Sequence, residues 1–69
     1  MLADFLKSIK DNSQVYFVLS GTILSGDIMK VDYENEFVQI KNAVFQGGLS
    51  VPFFIVPFSS ALAWGIRPR

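Results

Sequence analysis

Sixty-nine residues with six Lys and Arg against six Asp and Glu, at a pI near 6.0, make one small domain (residues 1–69) without net charge. That balance excludes a global positive field of the kind that gathers nucleic acid, while leaving room for a local pocket. Cysteine and histidine are absent, which excludes disulfides, thiolate nucleophiles and zinc fingers, and no cofactor is expected.

A chain of this length has a marginal core, and without disulfides or metals self-association is the remaining source of stability. The 51% hydrophobic content and seven phenylalanines agree, being more apolar surface than a tiny monomer easily hides. The N-terminus lacks the basic leader and apolar core of a secretory signal, so cytoplasmic residence is the expectation.

Leu2, Phe5, Leu6 and Ile9 recur at the spacing of one helix face. Asp4 lies in the first turn and Lys7 and Lys10 toward the end, as the helix dipole prefers, and Asp11-Asn12-Ser13 breaks the helix. Val15 to Leu19 is a run of β-branched and aromatic residues and reads as a first strand. Ser20-Gly21-Thr22 is a tight turn, and Ile23 to Val31 a second strand with Gly26 inside it. Glycine within a strand marks a bulge, a bend or a close backbone approach. A strand bent at Gly26 pairs with one neighbour along its first half and another along its second, which curls a short sheet into a small barrel.

The spacing Gly21, Gly26, Asp32, set among Val15, Phe17, Leu19, Ile23, Leu24, Ile28 and Val31, resembles the first motif of the Sm and Sm-like family, bacterial Hfq included. The resemblance implies an N-terminal helix followed by a strongly bent, five-stranded antiparallel barrel of small SH3 type, assembled into a homo-oligomeric ring. The helix would cover the open end of that barrel.

Beyond Asp32, Tyr33-Glu34-Asn35-Glu36 is a polar turn and Phe37 to Lys41 a third strand. The run Ile40-Lys41-Asn42-Ala43-Val44 looks like the Hfq segment in which Lys-Asn ends the third strand and the chain reverses. Gln46 to Ser50 is a flexible connection, Val51 to Val56 a fourth strand, Pro57 to Ser60 a turn, Ala61 to Trp64 a short fifth strand, and Gly65 to Arg69 a tail. A rival reading takes the uncharged stretch Leu49 to Ile66, eighteen residues long, as a membrane span with Trp64, Arg67 and Arg69 as its interfacial anchor. Pro52, Pro57, Ser50, Ser59, Ser60 and Gly65 weigh against it, and no membrane association is expected.

Nothing in the chain has the pattern of a catalytic site. Without His or Cys, a nucleophile would need Ser with Lys or a carboxylate, and no such motif is present. Asp27, Asp32, Glu34 and Glu36 could suggest a carboxylate pair, but Glu34 and Glu36 read as decoration of an exposed turn. Binding functions enter through the resemblance. In Sm-like rings the loop after the second strand supplies an acidic residue, a planar side chain that stacks on a base, and often an amide. The resemblance assigns these roles to Asp32, to Tyr33 or Phe37, and to Asn35. Tyr33 reads equally as an ordinary turn aromatic, and Phe37 as core.

The family's second loop carries a cation, Arg-Gly in Sm proteins or Lys-His in Hfq. The matching place here reads Pro57-Phe58-Ser59-Ser60, with no cation, which leaves Phe58 as a second stacking candidate beside Ser59. The expected function is weak binding of single-stranded RNA by a ring. The alternative is a ring that serves as a structural or protein-binding module. Subunits would join along the fourth and fifth strands, through Phe53, Phe54, Ile55, Val56, Leu62 and Trp64.

Overall fold

The computed structural model describes residues 1–9 and 13–67; Lys10, the Asp11-Asn12 helix break and the end of the tail, Arg69 included, lie outside the described residues. Helix α1 (Leu2–Ser8) is followed by β1 (Gln14–Leu19), β2 (Thr22–Asp32), β3 (Phe37–Phe45), β4 (Ser50–Pro57), a 3-10 turn (Phe58–Ser60) and β5 (Ala63–Ile66). A helix of 7 residues does not persist alone in water, so packing holds it. Leu2 and Leu6 are buried, and Phe5 and Ile9 pack beside them, as the spacing predicts.

The five strands form one antiparallel sheet in the order β4-β3-β2-β1-β5. This is the expected class, a helix and then a bent five-stranded sheet. Within one chain the sheet is not closed, and β4 and β5 are its two edges. The core sits on its concave face, where Val15, Phe17, Leu24, Val38, Ile40, Ala43 and Val56 are all completely buried.

Curvature comes from β2 and β3 together. Residues 22–27 of β2 pair with β1, and Leu24 to Asp32 pair with β3, with register breaks between Ser25 and Asp27 and between Ile28 and Lys30. Gly26 stands at the first break. A Cβ there would run into the Ile40 Cγ2 methyl and approach the Lys41 carbonyl oxygen to 2.9 Å and the Ala43 Cα to 3.3 Å. Hydrogen is the only substituent that fits.

The opposite side of that break is Asn42, whose φ of +53° is left-handed. Asparagine tolerates this conformation, so β3 kinks at Asn42 instead of ending. The third strand therefore runs on to Phe45, four residues past the expected end at Lys41. The β3–β4 register is unchanged across the kink, from Lys41–Phe53 to Ala43–Val51, with Asn42 and Pro52 between the paired positions. A proline on an edge strand is tolerated where no ladder hydrogen bond is required of it.

The fifth strand also lies further along than the sequence suggests, at Ala63–Ile66 rather than Ala61 to Trp64. Gly65 reads as a strand breaker. Here it pairs with Tyr16, whose ring lies where a Cβ of Gly65 would be, 2.6 Å from Cε2. A cross-strand aromatic covering a glycine offsets the side chain that glycine lacks. The ladder to β1 extends at both ends, through Leu62 N–H to the Val18 carbonyl (2.8 Å) and Arg67 N–H to the Gln14 carbonyl (2.9 Å). The uncharged stretch 49–66 is thus two edge strands and a turn, and among the described residues no helix is long and apolar enough to cross a membrane.

Candidate functional site

The β2–β3 turn is built around Asp32. Its Oδ1 accepts the Asn35 backbone N–H at 2.9 Å and its Oδ2 accepts the Asn35 Nδ2 at 3.0 Å, closing an Asx turn. These two donors, the backbone one foremost, hold the Asp32 carboxyl below the usual aspartate value. Glu36 completes the turn with a left-handed φ of +60°. Its carbonyl accepts the Phe58 N–H at 2.8 Å, which ties this turn to the one after β4.

Two turns more than twenty residues apart in sequence thus meet in space. Tyr33 stands edge-on to Phe58, with ring centroids 6.4 Å apart and planes at 69°. On the helix side the Lys7 ammonium lies 5.0 Å from the Tyr33 ring centroid, a cation–π contact. Beside Phe58 a groove of about 460 Å³ opens, within the range of small-molecule sites. Asn35 and Glu36 line it from the first turn, and Phe58 and Ser59 from the second. Trp64 of β5 and the first turn of α1 at Leu2 and Ala3 complete its walls.

Of the residues expected at a nucleotide site, Asn35, Phe58 and Ser59 line the groove. Tyr33 stands behind Phe58, and Asp32 acts through its hold on Asn35. Phe37 is half-buried and opens β3, paired with Asp32 on one side and Pro57 on the other, so its place is in the ladder. Three further residues contribute, of which sequence reading places neither Glu36 nor Trp64 at this site. Glu36 reads as a plain exposed acid in a turn, and only its backbone angle and its carbonyl bond bring it to the groove. Lys7, which the sequence offers with Lys10, Lys30 and Lys41 as cations for RNA if they share a face, reaches the site through the Tyr33 ring. Trp64 was expected at a subunit boundary.

The other boundary residues divide by strand alternation. Phe53 (58% exposed) and Ile55 (53%) of β4 and Leu62 (68%) before β5 present apolar side chains to solvent. Val56, by contrast, is fully buried in its own chain's core, and Phe54 packs edge-on against Phe45 with centroids 5.0 Å apart. Side chains at even positions of this part of β4 face inward, so they are spent before any neighbour arrives. Among the described residues no cluster of acidic side chains is arranged to hold a metal ion. No family model matches the chain, and no curated protein matches it significantly.

Proposed function

We propose that the protein is an Sm-like, ring-forming module that binds single-stranded RNA weakly, with the groove beside Phe58 receiving a base. The observation that carries this reading is the convergence of the two turns, through Tyr33 on Phe58 and Glu36 on the Phe58 N–H. It assembles an aromatic surface, an amide and a hydroxyl in one place. Aromatic stacking contributes about 1–3 kcal/mol per base and is tolerant of sequence. Among the described residues no Lys or Arg side chain lines the groove, and the cations at hand are Lys7 and the Met1 ammonium, so phosphate contacts are few.

Fluorescence anisotropy with labelled oligo-U and oligo-A over a salt series tests the reading. Each phosphate neutralised on a single strand contributes about −0.7 to the slope of log affinity against log salt, so a shallow slope near one or two such units is expected. Tyr33→Ala and Phe58→Leu should weaken binding, and Lys7→Gln should flatten the slope further. No binding at low salt to either oligomer would favour the ring as a structural or protein-binding module.

A further inference from the structure

We propose that the groove selects bases that carry an amino group where uracil carries its C4 carbonyl, cytosine at C4 and adenine at C6, over uracil, and that the Glu36 carboxylate is the selecting group. This rests on the single-strand reading above and specifies its ligand. Among the described residues Glu36 is the only one that brings a charged side chain to the lining, and the Met1 ammonium, also in the lining, lies 3.9 Å from the Asp4 carboxylate. The Asp32 carboxylate lies just behind, bonded to Asn35, so one of the four hydrogen-bonding sites on the Asn35 amide is already used on an acid. The first turn therefore gives its end of the groove a carboxylate and further acceptors.

A carboxylate only accepts hydrogen bonds. Cytosine offers an amino donor at C4 where uracil offers a carbonyl oxygen, and adenine offers the same kind of donor at C6. A base stacked on Phe58 with this edge toward Glu36 is bonded if it carries the amine and repelled if it carries the carbonyl. The Glu36 backbone is anchored beside the stacking surface, since its carbonyl accepts the Phe58 N–H. That 2.8 Å bond fixes the backbone from which the exposed Glu36 side chain reaches the groove.

The test is anisotropy at low salt and neutral pH with labelled oligo-C and oligo-U of equal length, on the full chain. A third oligomer of N4,N4-dimethylcytidine keeps the cytosine ring and lacks both donor hydrogens. Oligo-C should bind about fivefold or more tighter than oligo-U, the low end of discrimination by a good base contact because Glu36 is exposed. The dimethylated oligomer should fall to the level of oligo-U.

Glu36→Gln, and Glu36→Asn, which suits the left-handed backbone, should each reduce the ratio to within about twofold. Binding of oligo-C and oligo-U with equal affinity, or tighter binding of oligo-U, overturns the selection and leaves the RNA reading standing. So does a preference that survives dimethylation or persists in both folded variants. Absence of binding to all three oligomers overturns the RNA reading and the selection together.

Discussion

Gly26→Ala is the sharpest perturbation this fold allows. The added methyl meets the Ile40 side chain, the Lys41 carbonyl oxygen at 2.9 Å and the Ala43 Cα at 3.3 Å. Ile40 is fully buried and has nowhere to turn, and the other two neighbours are backbone. β3 must therefore move away from β2 at the point where both strands bend. Overpacking of this kind costs about 1–3 kcal/mol. A chain of 69 residues has roughly 3–10 kcal/mol of stability to lose. At about 4–8 °C per kcal/mol for a domain this small, the melting temperature should drop by roughly 5–20 °C. Gly26→Val, with two further carbons in the same space, should fall further or fail to fold. The assay is thermal melting by far-UV circular dichroism at one fixed protein concentration, because assembly ties apparent stability to concentration. A Gly26→Ala variant melting within about 2 °C of the parent would refute the steric account of the bend.

Gly65→Ala should cost about 1–3 kcal/mol in urea unfolding because its Cβ would lie 2.6 Å from the Tyr16 ring, and much of that cost should vanish in a Tyr16→Ala background; additive losses would show that the ring does not cover the glycine. The Asp32 carboxyl, held below its ordinary value by Asn35, contributes stability that is present above the unfolded-state value and is lost as pH falls through the folded one. Urea midpoints for the parent should therefore fall as the pH drops below about 4, and more steeply than those of Asp32→Ala. Parallel curves would remove the Asx turn from the acid response. Light scattering on the purified protein should give several multiples of the 7.7 kDa chain at micromolar concentration, and Ile55→Lys should reduce that mass; a parent that runs as a single chain would end the ring reading.

The bend, the helix stripe and four of the five strand positions are legible because each rests on a local rule. Apolar spacing places Leu2, Phe5, Leu6 and Ile9 on one face, and a glycine in a β-branched run marks a close approach. The errors occur where a distant partner reverses a local preference. Asn42 is a turn former that here kinks a strand, because β2 bends against it. Gly65 is a strand breaker made acceptable by Tyr16, 49 positions earlier in the chain. The connection expected at Gly47 and Gly48 is there, a turn with φ of +99° at both glycines and the Phe45 N–H donating to the Leu49 carbonyl at 2.7 Å. The groove shows the same division. Asn35, Phe58 and Ser59 are found by matching loops to a family pattern. Glu36 is not, since no local feature of a polar turn says which of its acids will be bonded to a loop more than twenty residues away.

The two edges of the sheet bear on why so small a domain would assemble. β4 carries a run without proline from Phe53 to Val56, bounded by Pro52 and Pro57. That run is four residues long, and β5 at the other edge is also four residues long. A proline has no N–H to offer a new neighbour, so Pro52 and Pro57 limit how far any added strand can pair along β4. The permitted length matches the strand that a second copy of the chain would present. Pairing of this kind joins opposite edges of identical copies and is head-to-tail, which leaves a free edge at each step unless the rotation closes. Closure removes every edge and covers Phe53 and Ile55, each worth about 1.5–3 kcal/mol if fully buried. An open chain of copies would keep one unpaired β4 at its end, with an apolar run that invites further addition. A discrete mass in solution is therefore the outcome that the ring reading requires, and a continuous ladder of sizes would count against it.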